Sequence, residues 1–84
     1  MEKDHPRSSL CEPAMYRIHI LGRLDKNRSA YYGGMTIEHE SEPHHGSMTI
    51  LTGRLVDQCA LIGVLNSLHD IGCPILSVEY RGAG

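Results

Sequence analysis

The sequence contains no tryptophan and no phenylalanine, and its four tyrosines are its only aromatic residues. Aliphatic side chains, methionine and tyrosine must therefore fill any core. Eight basic residues stand against ten acidic ones, and the net charge is −2, so the basic surface typical of nucleic-acid-binding domains is lacking. Apolar runs stay short of the roughly 20 residues that a membrane-spanning helix needs. We expect neither a nucleic acid nor a membrane as partner.

Cysteine is also scarce. The odd number of three cysteines argues against a disulfide framework. Their positions also lack the C-x-x-C spacing of metal sites. The first residues contain no apolar segment like that of a secretory signal peptide. A cytoplasmic protein in a reducing compartment, without a cofactor, is therefore the prediction.

With 84 residues the chain has room for one domain with a thin core. Residues 1–14 are polar, contain two prolines and show no periodicity, so we expect a disordered N-terminal arm. Residues 15–84 are expected to form a single compact domain. Met15 stands where the ordered pattern begins, and it is either an alternative translation start or an ordinary internal methionine.

Three segments predict strands: in the first two, apolar and polar residues alternate with a period of two, whereas the third has apolar residues on both faces, as expected for a more central strand. They cover residues 16–24, 35–40 and 47–52. Gly22 interrupts the first, which indicates a bulge or a close backbone approach. The apolar face of the first segment carries Tyr16, Ile18, Ile20 and Leu24. Its opposite face carries Arg17, His19, Leu21 and Arg23.

A helix is predicted over residues 57–71, where apolar residues recur every three or four positions. Asp57 suits the N-cap, because its carboxylate can accept a hydrogen bond from a free N–H of the first turn. Gly72 suits the left-handed residue that ends a helix, and Pro74 prevents continuation. We expect Gly63 to be tolerated because a neighbouring element lies close to it. The residues expected to be buried are Val56, Ala60, Leu61, Val64, Leu65, Leu68 and Ile71.

A last strand is predicted over residues 74–80, which completes the order β-β-β-α-β. The predicted fold class is α+β, with a four-stranded mixed sheet and one helix on one face. The first three strands are expected to form an antiparallel meander, and the third strand, helix and fourth strand a right-handed βαβ crossover. The fourth strand can lie beside the first or the third. The uncovered face of the sheet is expected to carry Leu21, with Leu51 as a further candidate.

The stretch GRLVDQCALIGVLNSLHDIGCPILSV, preceded by YRIHILGRLD and GGMTIEHE, resembles a group of small bacterial proteins of unknown function. Their shared tail resembles G-x-x-x-D-Q-A-A-L-x-G-L-L-x-x-L-x-x-L-G-L-P-L-L-S-V. The resemblance covers residues 16–79 and implies a single compact unit, without an activity or a catalytic residue. Cys59 stands where the group usually has alanine, and Cys73 where it usually has leucine.

Histidines and cysteines are the candidates for chemistry. His39, His44 and His45 lie near two glutamates, and these residue types bind zinc, nickel or copper. Adjacent histidines in a turn have no fixed geometry, so a polar hairpin loop is the simpler interpretation. Cys59 falls in the first turn of the predicted helix, where reactive cysteines occur. A small buried side chain is the simpler interpretation of Cys59, and Cys73 is read as a packing residue.

Tyr31 and Tyr32 precede two glycines and are the best candidates for recognition, either at an interface or over a ligand, or else they cover the core. Arg17, His19 and Arg23 could bind an anion, although glutamates on neighbouring strands could pair with them instead.

Two hypotheses follow from this pattern. The first is a non-enzymatic interaction module that self-associates as a homodimer, because one helix cannot cover both faces of the sheet. The second is a small-molecule-binding protein or enzyme with a pocket between the sheet and the Tyr31–Tyr32 loop, using His19 or Cys59.

Overall fold

The computed structural model describes residues 12–44 and 46–83, and in this part of the chain four strands and one α-helix form an α+β unit. The predicted arm lies largely outside the described residues. The elements are β1 (Ala14–Leu21), a 3-10 helix (Lys26–Tyr32), β2 (Thr36–Glu42), β3 (Gly46–Leu55), α1 (Gln58–Asp70) and β4 (Ile75–Ala83).

The sheet has the strand order β2-β3-β1-β4, and every pair of neighbours is antiparallel. The predicted meander and the mixed sheet are therefore wrong, because β3 lies between β1 and β2. The connection from β1 to β2 holds a 3-10 helix instead of a tight turn, and so the chain can reach past the position of β3. Since β3 and β4 both run antiparallel to β1, α1 joins two parallel strands across β1, which is a split β-α-β arrangement. The right hand of this crossover stays a prediction.

Alternation along β1 determines which side chains enter the core. Tyr16, Ile18 and Ile20 are buried, while the residues between them are half-buried on the other face. Ile18 lies opposite Leu51 of β3, and Leu51 is fully buried, so the candidate assignment of Leu51 to the uncovered face is wrong. The buried apolar cluster consists of Ala14, Tyr16, Ile18, Ile20, Leu24, Tyr32, Met35, Ile37, Leu51, Leu55, Leu61, Val64 and Leu68.

Local signals give α1 its predicted limits. The Asp57 carboxylate accepts a hydrogen bond from the N–H of Ala60 (2.8 Å), which confirms the N-cap. Gly72 follows the helix with φ of 81°, in the left-handed region that glycine adopts without steric cost. Of the predicted stripe, Leu61, Val64 and Leu68 are buried.

The edges of the predicted stripe differ from the structure. Val56 and Ile71 are exposed, because they lie outside the regular helix, before its cap and after its last turn. Gly63 is exposed as well, and a Cβ atom placed on it would meet no heavy atom within 4 Å. A close neighbour within the described chain is therefore not the reason for this glycine.

The segment after β1 is tied to β3 through one buried side chain. The predicted strand over residues 16–24 ends at Leu21, because Gly22 turns the chain with φ of 106°. The hydroxyl of Thr49, a fully buried residue, donates to the carbonyl of Gly22 (2.7 Å) and accepts from the N–H of Leu24 (3.0 Å). Thr49 thus fixes the start of the connection that contains the 3-10 helix.

Candidate functional site

The main exposed apolar surface within a single element lies on β4. Four large side chains there remain exposed in the isolated chain, and we refer to them as the β4 strip: Ile75, Leu76, Val78 and Tyr80. Val78 lies opposite Ile18 of β1, and Tyr80 lies opposite Tyr16, so both are on the face that carries the core. Val78 is 42% and Tyr80 66% exposed, although the neighbouring β1 residues are buried.

The strip is exposed because α1 is the only α-helix of the described chain and cannot cover four strands. α1 contacts both β3 and β4, and the 3-10 helix packs against α1 and β2 towards the opposite edge of the sheet. Among the described residues, β4 is an edge strand without a neighbour on its outer side. The unpartnered surface is therefore the outer part of the core face. The sequence had instead suggested the opposite face.

Tyr80 anchors one end of the strip. Its ring packs edge-to-face on Tyr16, with centroids 5.8 Å apart and planes at 73°. Such a contact holds the exposed ring in a defined orientation. Next to it is a cavity of about 330 Å³, lined by Glu12, Pro13, Ala14, Tyr16, Gln58 and Tyr80.

The opposite face of the sheet is mainly polar. Arg17 lies directly across from Glu79 in the register, but Glu79 binds Arg81 (3.3 Å). Arg17 makes no ion pair in the described part of the chain. His19 contacts the hydroxyl of Ser77 through Nδ1 (3.0 Å). Arg23 lies beyond the end of β1, so the structure does not unite the three proposed anion-binding residues in one row.

Arg23 instead borders a second cavity. This open depression of about 450 Å³ is lined by Arg23, Leu24, Asp25, Lys26 and His39. The Nε2 atom of His39 is hydrogen-bonded to the carbonyl oxygen of Leu24, which fixes the ring at the wall of the depression.

The two adjacent tyrosines have different environments. Tyr32 is buried in the core at the end of the 3-10 helix, whereas Tyr31 is 70% exposed and lies under the guanidinium of Arg28 (5.6 Å). Neither tyrosine lines the two cavities described above. Gly33 follows them in the left-handed region (φ 67°) and allows the turn back into β2.

The proposed metal residues do not converge in the part of the chain that can be described. No group of three or more His, Cys, Asp or Glu side chains with metal-binding geometry occurs there. His39 lies on β2 and His44 in the turn after it, while His45 is outside the described residues.

Cys59 and Cys73 have different environments. Cys59 is exposed in the first turn, so the expectation of a buried side chain is wrong, and no hydrogen bond joins it to a base among the described residues. Cys73 is half-buried and packs against the core, which agrees with a packing role. Cys11 lies outside the described residues.

Family comparison gives one match. The model of a domain of unknown function (DUF8691) covers residues 15–79. The chain belongs to this family. No curated protein and no solved structure matches the chain. Within the described residues, no helix combines the length and hydrophobicity needed to cross a membrane.

The sequence predicted β4 but not the importance of its apolar face. Alternation placed Leu76, Val78 and Tyr80 on one side of a strand, and the usual inference is that such residues are covered. Exposure follows from the edge position of β4, which depends on pairing with a strand some sixty residues earlier. One signal in the sequence did indicate this exposure. Only one helix is predicted, and one helix cannot cover the apolar face of four strands.

Proposed function

We propose that this domain is a non-enzymatic module that self-associates as a homodimer through the β4 strip. The observation that carries the proposal is the exposure of Val78 and Tyr80 on the core face, beside a buried strand. Contiguous apolar side chains at an edge strand are unusual on monomers, which normally protect such edges. The two free thiols at Cys59 and Cys73 suit the reducing cytoplasm that we propose as its compartment.

Burial of Val78 and Tyr80 alone does not hold a dimer together. Full burial of a large apolar side chain contributes about 1.5–3 kcal/mol. Given the exposed fractions of Val78 and Tyr80, burying what remains in both copies contributes about 3–6 kcal/mol. Association costs at least about 4 kcal/mol in lost freedom of motion, so further contacts between the copies are required.

Sedimentation equilibrium over low to high micromolar concentrations tests the proposal. The unmodified chain should be a dimer at the upper end of this range, and Tyr80→Ser should shift it to monomer. Tyr31→Ser is the matched control, because Tyr31 is as exposed as Tyr80 but belongs to the 3-10 helix on the β2 side. A chain that stays monomeric throughout, or one that dissociates only on Tyr31→Ser, would contradict the proposal. The second result would direct attention to the Tyr31–Tyr32 loop.

A further inference from the structure

The backbone groups that β4 leaves unpaired can be located from two hydrogen bonds at the end of β1. The N–H of Leu21 donates to the carbonyl of Pro74 (2.9 Å), just before β4. The N–H of Gly22, the next residue, donates to the carbonyl of Ser47 (2.9 Å), beside β3. Successive residues of a strand direct their backbone groups to opposite sides. Odd-numbered residues of β1 therefore face β4, and even-numbered ones face β3.

This alternation fixes the direction of the backbone groups on β4. Arg17 and His19 face β4, where Glu79 and Ser77 lie directly across from them. Val78 lies between these two paired residues, so its N–H and C=O point to the open edge of the sheet. The register with β1 is regular over residues 77–80 and shifts on either side. Within residues 12–44 and 46–83, this edge therefore offers a short regular segment with unpaired backbone groups.

The other edge of the sheet is charged. The polar face of β2 carries Thr36, Glu38 and Glu40, all exposed. If two β2 strands paired about a twofold axis with full overlap, glutamates of one copy would oppose glutamates of the other. Like charges directly opposite each other destabilise a strand pair. The β2 edge therefore repels a second copy.

On β4 the polar face carries Ser77 and Glu79 in the regular segment. Two twofold registers pair three residues of this regular segment from each copy. One is centred on Glu79, which then faces Glu79 of the second copy. The other is centred on Val78, and it brings Glu79 opposite Ser77 of the second copy, without a like-charge pair.

We infer that the second copy pairs edge to edge, with the two β4 strands antiparallel and Val78 opposite Val78 of the second copy. This inference rests on the proposed self-association and specifies its geometry. The two sheets become one eight-stranded sheet. On the core face, the Val78 side chains of the two copies meet, so the two strips come into contact at the twofold axis. The backbone hydrogen bonds at Val78 supply contacts that apolar burial alone does not.

A pair of substitutions at Ser77 tests the register. Ser77→Arg places a cation opposite Glu79 of the second copy, and the dimer should become about two- to thirtyfold tighter, since the pair occurs twice. Ser77→Glu places a like charge there and should weaken the dimer by a similar factor. The two variants are matched, because each loses the same hydrogen bond to His19. Dissociation constants are measured by sedimentation equilibrium, and thermal unfolding checks that both variants fold.

The opposite signs would overturn the inference while the proposed function stands. In the register centred on Glu79, Ser77 faces Arg81 of the second copy, so Ser77→Arg would weaken the dimer and Ser77→Glu would tighten it. A wild-type dimer that neither substitution changes would mean that the copies associate through another surface. A wild-type chain that is monomeric at every concentration would instead contradict the proposed function itself.

Amide hydrogen exchange separates edge pairing from simple packing of two faces. We expect exchange at Val78 to slow as the dimer forms, because its N–H gains a partner. The amide of Tyr31, remote from β4, is the control. A dimer in which exchange at Val78 is unchanged would contradict edge pairing.

Discussion

Gly33 offers a sharp test of the packing between the 3-10 helix and β3. Its φ of 67° lies in the left-handed region, and a Cβ atom there would stand 2.7 Å from Cδ2 of Leu55. Leu55 is buried and cannot move away freely. Gly34 has nearly the same backbone (φ 72°), but its Cβ would meet nothing within 4 Å. Comparing alanine substitutions at the two glycines therefore separates the cost of the left-handed backbone from the cost of the clash with Leu55.

The expected losses follow from these two contributions. A non-glycine residue in the left-handed region costs roughly 1–2 kcal/mol, and this is the loss expected for Gly34→Ala. Overpacking adds about 1–3 kcal/mol, so Gly33→Ala should cost about 2–5 kcal/mol. For a domain whose unfolding free energy is on the order of 5 kcal/mol, this difference is large.

Urea unfolding followed by circular dichroism measures both losses as shifts of the midpoint at constant slope. If Gly33→Ala is too unstable to fit, the substitution is repeated in a Leu55→Val background, where the clashing Cδ2 methyl group is absent and the loss of core volume is smaller than on truncation to alanine. There its additional cost should fall to that of Gly34→Ala. Equal losses for the two glycines in the natural background would refute the close packing of Gly33 on Leu55.

Three further substitutions address single interactions, each measured by the same unfolding assay. Thr49→Val should cost about 1–3 kcal/mol, because it leaves the carbonyl of Gly22 and the N–H of Leu24 without a partner, whereas Thr49→Ser should retain most of the stability. Asp57→Ala should cost about 1 kcal/mol through loss of the N-cap, and Asp57→Asn much less, so equal effects would contradict the capping role. Leu68→Ala removes a fully buried side chain and should cost about 2–5 kcal/mol; a loss below 1 kcal/mol would show that α1 does not pack as described.

Local signals predicted the elements that depend on nearby residues. Asp57 and Gly72 mark the ends of α1 through their own side-chain and backbone chemistry, and the spacing of Leu61, Val64 and Leu68 gives its buried side. These features need no knowledge of distant residues. The sheet is different, because strand order depends on which distant segments pair.

The errors in the prediction share that cause. The alternation of β1 is equally compatible with β2 or β3 as its neighbour, and only the apolar residues on both faces of residues 47–52 favoured a more central position for β3. Tyr31 and Tyr32 have the same chemistry, and only the path of the 3-10 helix decides which of them is buried. The exposure of Val78 could not be predicted for the same reason, since it requires the edge position of β4.

The central position of β1 has a consequence for how the chain folds. Ala14, at the start of the strand, pairs with Leu55 on one side and Ala83 on the other, so β1 joins segments from nearly the whole described length. Closing such large loops costs entropy before any contact repays it, and domains dominated by distant pairings fold in milliseconds to seconds. Until β4 pairs with β1, Tyr16 and Ile18 lie on a strand with one unpaired backbone edge. A nascent or partly folded chain is therefore most vulnerable to aggregation at β1, and conditions that speed the docking of β4 should improve recovery on refolding.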